Sequence, residues 1–460
     1  MNFLGLLFLL VAHYLSGRGL LRLFRMQLPP LHAFCLSMAA GVPLLSFVPC
    51  ILQLLSFSIT LMSVSIGIGV FTGILCIPLL IGFKRPQFKK ITLPFLYELP
   101  FVAVMFLLMA VSVWRCFYYP PIARDMLTGP ELLAEFTVRE GTMINSVFSV
   151  DLSTTNNYFK SPYITSLQII YKLLVCPFGQ LWLSVLFLSF TMWLYSLVRS
   201  FIHPVIAGLL MLFFIALPDP YAYSYIILYD YSNMVFFCLG FYFLYRWYQE
   251  DSRLGNFFFS VFLFGIATYI RTETLILVTM IAPLVLFLFW RKHMAAKKMA
   301  LYTVIFLLGT AAFYFVCIDV FVRNFVPIPL DIKSQINPNL ANVSVFFTRL
   351  RDIFTVLIFS EHGIKEYGYF IFLFFGILLT DIIVVRRFNT MAAIALYGIV
   401  VVFIGLSFIG YLLPLADLIN TTKRGLFKAL PLMLLYMANS GILLRLSDKV
   451  RMWETPNPSR

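Results

Sequence analysis

The chain has 460 residues, 61% hydrophobic and only 12% charged, with 50 Phe, whereas a soluble domain is about half apolar and a quarter charged, so that class is excluded. The net charge of +14 would suit a nucleic-acid binder, but in a membrane protein such an excess records topology. The seven cysteines stand singly, mostly in apolar runs, with neither metal spacing nor a disulfide pattern, and read as small packing residues.

Apolar runs of about 20 residues, the length that crosses a bilayer, recur to the C-terminus and predict an all-α polytopic membrane protein. The first, 2–16, lacks a basic leader; Arg18, Arg22 and Arg25 follow it, so a retained helix is expected rather than a cleaved signal. Further helices are predicted at 29–51, 58–82, 96–116, 180–198, 202–217, 232–249, 255–270, 272–290, 299–321, 367–385, 391–413 and 427–444, about thirteen with the first.

Basic clusters at 18–25, 84–90, 291–298, 386–387 and 445–451 all fall on one side if the N-terminus is outside and the C-terminus in the cytoplasm. That threading puts the whole +14 excess inside and leaves the outer loops near neutral, so no nucleic-acid partner is needed. Two outer loops are long, 117–179 and 322–366, and loops of that length usually carry function. Within the first, PELLAEFTV (130–138) is helix-like, and the amphipathic SPYITSLQIIYKLL (161–174) is expected to lie along the outer interface.

The same threading gathers charged groups at the outer face: Asp125, Asp151 and Lys160 in the first long loop, Asp230 in the 218–231 loop, Arg271 and Glu273 in the turn IRTET, and Lys423 and Arg424 in NTTKRGLFKALP. Ionisable groups at membrane depth are costly and therefore functional candidates. Carboxylates serve as general bases or cation ligands, while Arg and Lys match phosphate oxygens. A pocket holding both beside lipid suits a substrate with phosphate on a long lipid. Each residue also has a plainer reading. Asp125 can be a solvated loop acid, Asp230 the N-cap of the helix that follows, Arg271 a snorkelling anchor, and Lys160, Lys423 and Arg424 ordinary outer-loop charge. Glu361 and His362 are weak metal-ligand candidates, and the tyrosines at 118, 119, 221, 223, 225 and 229 read mainly as an interfacial belt.

Five short patterns occur in order: CFYYPPIARDMLTGPELLAEF (116–136), FKSPYITSLQIIYKLLVCPFG (159–179), YIILYDYSNMVFFCLG (225–240), TYIRTET (268–274) and RGLFKALPLM (424–433). In this order they resemble the GT-C superfamily, integral-membrane glycosyltransferases that take sugars from polyprenyl-phosphate lipids and include the protein mannosyltransferase and aminoarabinose transferase families. The sequence departs from those patterns at Lys160-Ser161-Pro162, where K-P-P is usual, and at Arg271-Thr272-Glu273, where Lys-Gly is. Asp125 is followed by Met126 rather than a second acid, and no W-W-D-Y-G motif of oligosaccharyltransferases is present.

The resemblance implies a GT-C-like core over 96–445, preceded by a three-helix extension (1–95) and followed by a cytoplasmic tail (446–460). It implies a bacterial cytoplasmic-membrane transferase that moves a sugar from a polyprenyl-phosphate donor to a glycan, lipid or protein acceptor at the outer face, with a divalent metal as a possible cofactor. Asp125 and Asp230 are then the catalytic acids, with Arg271, Arg424, Lys423 and Lys160 on the donor phosphate and Glu273 and Asp151 as additional residues. Two alternatives stay open: a polysaccharide polymerase or ligase acting on lipid-linked glycans, and a lipid-linked sugar transporter or flippase. A carrier would favour repeated halves and broken helices at the midplane.

Overall fold

The structure, a computed structural model, describes residues 2–80, 95–122, 124–150, 161–250, 254–321, 336–337, 342–386, 388–413 and 417–454. Among these residues every regular element is helical. Each of the thirteen expected segments contains helix among the described residues, and several, such as 29–51, 272–290 and 427–444, are broken into separate helices. By length and apolarity eight are candidate membrane spans, or ten if two bent pairs, Glu361–Tyr367 with Phe370–Val385 and Leu418–Ala438 with Gly441–Glu454, each count as one. The chain is thus an all-helical protein of the polytopic membrane type. Helices Pro204–Ile215 and Leu254–Ile270 are apolar but shorter.

The N-terminal helices pack through small residues. Asn2 Oδ1 accepts from Gly5 N at 3.1 Å and caps helix Phe3–Leu23. This helix lies backbone-to-backbone on Pro30–Leu45: a Cβ at Gly17 would sit 1.9 Å from the Ser37 carbonyl oxygen, and one at Gly41 2.1 Å from that of His13. With no apolar–apolar driving force between helices in lipid, such close approach is what gains dispersion contacts. These helices are pinned to the rest of the chain by His13 Nε2 with the Tyr171 hydroxyl (2.9 Å) and His32 Nε2 with the Ser196 hydroxyl (3.0 Å).

One expectation is corrected here. The amphipathic segment of the first long loop does not lie along an interface. Its helix, Tyr163–Leu174, is buried on almost every face, Tyr163, Ile164, Leu167, Ile170 and Tyr171 completely. The polar residues that suggested a wet face are satisfied inside protein. Gln168 donates to Glu131 Oε2 (2.6 Å) and to the Phe178 carbonyl (3.0 Å), and accepts from Trp182 Nε1 (2.9 Å). Lys172 Nζ lies 2.6 Å from Glu131 and 3.1 Å from Glu135. The expected PELLAEFTV helix is Pro130–Glu140, and its acids make these contacts.

Contacts between distant segments sort into two ends of the bundle. At one end Ile59 N donates to the Gly141 carbonyl (2.7 Å), and the Thr142 hydroxyl and Met143 N donate to Gln53 Oε1. At the other, Arg199 pairs with the fully buried Glu98 (2.8 Å), Lys292 donates to the Trp247 carbonyl (3.0 Å), and Asp381 accepts from Gly441 N and Ile442 N. Each of these contacts joins segments that the basic clusters assign to the same face.

Candidate functional site

Four turns and short helices at the first end supply the site. Helix Tyr229–Gln249 begins with Leu228 at its N-cap position and no side-chain cap, so Asp230 is not the cap residue. It sits in the first turn instead, where the helix dipole favours its charge. Asp230 is 3% exposed, and its Oδ1 accepts from Arg271 Nη1. Arg271 occupies the turn between Leu254–Ile270 and Thr274–Thr279, and its Nε faces Glu273 Oε1, so one guanidinium bridges two carboxylates.

Asn233, one turn beyond Asp230, fixes this geometry. Its amide donates to the Ala267 carbonyl (2.6 Å) and to Thr274 Oγ1 (3.0 Å), tying the start of one helix to both flanks of the Arg271 turn. Tyr229 donates to the Ser161 carbonyl (2.9 Å), and Tyr163 to Ser232 Oγ (3.2 Å), which ties the buried helix of the first loop to the same place.

From the other side, Asp125 in the short helix Arg124–Leu127 accepts from Arg424 Nη1 at 3.0 Å. Asp125 and Arg424 are 299 positions apart in the chain. A cavity of about 150 Å³ lies between the two groups, lined by Asp125, Ser161, Asp230, Arg271, Glu273 and Arg424, with Tyr229, Met126 and Leu228 among its less polar walls. Five of the expected site residues are therefore brought together: Asp125, Asp230, Arg271, Glu273 and Arg424.

Lys423 is placed differently. Its Nζ lies 2.9 Å from Asp219 and 3.2 Å from Glu366, and it is not among the residues lining the cavity. Tyr367 donates to the Lys423 carbonyl (2.8 Å), so this group clamps the segment that presents Arg424. Burial, followed by the hydrogen bond to Glu366, pushes the Asp219 carboxyl up to about 6. Asp151 and Lys160 lie outside the described residues.

Glu361 pairs with Lys365 (2.6 Å), and His362 faces Glu366 at 3.8 Å. Among the described residues no three His, Cys, Asp or Glu side chains gather as a metal's ligand set. Asp125 and Asp230 are each held by an arginine.

Several residues of the site carried little signal in the sequence. Asn233 was visible as an amide one helical turn from Asp230 in an otherwise apolar run. Asp219 and Glu366 look like ordinary loop charge until Lys423 is seen between them. Tyr229, read as a belt residue, is a buried wall of the cavity. Compared with known proteins, the chain matches no family model, no curated protein and no solved structure.

Proposed function

We propose that this protein is a membrane-embedded glycosyltransferase that moves a sugar from a polyprenyl-phosphate-type donor to an acceptor hydroxyl at the outer face of a bacterial cytoplasmic membrane, as the GT-C resemblance implies. The observation that carries this reading is the cavity in which Asp125, Asp230, Arg271, Glu273 and Arg424 meet at one end of the helical bundle. The alternation of carboxylate and guanidinium suits a reaction that needs a base for the acceptor and cations for a departing phosphate.

In this mechanism the donor phosphate draws Arg424 and Arg271 toward its oxygens, since both guanidiniums offer paired N–H donors. Drawing Arg424 to the phosphate frees the Asp125 carboxylate to face the acceptor hydroxyl. Asp125 then takes the proton of the acceptor hydroxyl as the acceptor oxygen attacks the anomeric carbon from the face opposite the phosphate. The bond from that carbon to the phosphate oxygen breaks, and the lipid phosphate leaves with its charge offset by the two arginines. Asp230 keeps Arg271 aimed into the cavity. The product has inverted configuration.

Placement of the charges at one end of the bundle supports a transferase over a carrier, whose ionisable groups would line a path through the midplane. Purified protein incubated with radiolabelled polyprenyl-phosphate sugars, with and without chelator, tests the reading. Transfer of label with release of the lipid phosphate is expected, and Asp125→Asn is expected to reduce it by at least about 100-fold, the size of a lost general base. Full activity in Asp125→Asn would refute the assignment.

A further inference from the structure

Helix Leu99–Tyr118 carries a single cation, Arg115, in its last turn. Ser112 and Cys116, a turn apart on this helix, fasten it to Ser224. The Ser112 and Ser224 hydroxyls lie 2.8 Å apart, and the Cys116 thiol donates to the Ser224 carbonyl at 3.8 Å. This seam sets Arg115 against the next residue, Tyr225. The guanidinium carbon lies 4.2 Å from the ring centroid of Tyr119, 5.8 Å from that of Tyr225 and 5.9 Å from that of Trp114. Tyr119 is fixed in turn, because the Gln180 amide donates to its carbonyl at 2.6 Å. Among the described residues no ion pair or hydrogen bond reaches the Arg115 guanidinium.

Arg115 lines a small cleft of about 30 Å³, with Tyr119, Pro120, Gln180, Tyr225 and Ile227 among its walls, and no residue lining it is acidic. The cleft adjoins the cavity. Met126 lines both, and the chain passes from one to the other between Ile227 and Leu228. The two differ in charge: three carboxylates face two arginines in the cavity, whereas the cleft holds a lone cation. An aromatic ring attracts the face of a guanidinium and leaves the N–H groups along its edge without acceptors. Those donors match the paired oxygens of a carboxylate or a phosphate. A snorkelling anchor at a helix end would reach for water or headgroups, but Arg115 is half-buried against its rings.

We propose that this cleft is an acceptor subsite: Arg115, steadied by Tyr119 and Tyr225, binds a carboxylate or phosphate group carried by the acceptor, whose hydroxyl lies past Met126 at Asp125. This rests on the reading of the cavity as a transferase site and adds the class of acceptor, a negatively charged one. The cleft has room for a charged group but not for a sugar ring, so the part of the acceptor that bears the reacting hydroxyl stays on the cavity side.

The test uses the full-length protein in a non-ionic detergent without a sugar headgroup, with equilibrium dialysis against two matched pairs of probes. Methyl glucuronide is compared with methyl glucoside, and glycerol phosphate with glycerol. At least one anionic probe is expected to bind at least about tenfold more tightly than its neutral match, the order expected for one charge-assisted contact. The pair that shows the preference identifies the group as carboxylate or phosphate. Arg115→Gln is expected to abolish the preference, and Arg115→Lys, which keeps the charge, to retain part of it. A preference unchanged in Arg115→Gln places the anion on Arg271 and Arg424 and overturns the subsite, as does the absence of any preference in the wild type. Equal loss in both variants together with a lower melting temperature marks a packing role and also overturns it. Dialysis does not depend on sugar transfer, so the two readings fail separately. Transfer in the radiolabel assay without an Arg115-dependent preference overturns the subsite alone, and the preference without transfer overturns its role for an acceptor.

Discussion

Arg271 shows how a single side chain can be held by its surroundings. Two carboxylates, Asp230 and Glu273, hold it, and the turn that carries it is fixed by the Asn233 amide. In the proposed mechanism, a guanidinium shared between two carboxylates is already oriented when the donor phosphate arrives. Asp219 illustrates a different consequence of burial. Its carboxyl is pushed from its ordinary 3.8 up to about 6 by burial and by the hydrogen bond to Glu366, with Lys423 close by. Because the folded value lies above the unfolded one, the folded state binds the proton more tightly. The stability this group contributes is present below about pH 4 and is lost as the pH rises through about 6. Melting temperatures recorded between pH 4 and 7 should therefore fall more steeply for the wild type than for Asp219→Asn; equal slopes would contradict the assignment.

At the level of elements, the site depends on helix ends docked to one another. The start of Tyr229–Gln249 is joined to the Ile270–Thr274 turn through Asn233 and to the first long loop through Tyr229 and Ser161. Replacing Asn233 by Ala leaves the buried Ala267 carbonyl and the Thr274 hydroxyl with fewer partners, a loss of about 1–3 kcal/mol. A lower melting temperature in detergent is the expected outcome, and an unchanged one would show that the turn is held by other means. The buried helix Tyr163–Leu174 works alongside this contact. Sequence periodicity shows that it is a helix with a polar stripe, but a polar stripe facing water and one facing Glu131, Trp182 and the Phe178 carbonyl look alike in a single chain. That ambiguity is why its position was misread as interfacial, while its existence and bounds were legible.

Across the whole molecule, hydropathy carried the architecture. Among the described residues each segment expected to be helical contains helix, because a run of about 20 apolar residues has few alternatives to internal backbone hydrogen bonding in a membrane. How many of them cross was less legible. Tyr229–Gln249 has polar and charged residues at both ends, and Pro204–Ile215 is only 12 residues long. The candidate site was readable to the extent that charge in short turns between apolar helices stands out: Asp125, Asp230, Arg271, Glu273 and Arg424 do converge. Lys423 stood out but serves Asp219 and Glu366, a pairing between loops that no local pattern encodes.

The claim beneath all of this is spatial: one end of the bundle faces outward and holds the acids and bases together. Single cysteines at Leu127, Thr272 and Ile419, near Asp125, Arg271 and Arg424, and at Leu23 near the opposite end test it in a background lacking the native cysteines. With a membrane-impermeant thiol reagent on intact cells, outer membrane permeabilised, the first three are expected to react and position 23 only after the inner membrane is opened. Reaction of 127 and 272 from opposite sides would contradict the account.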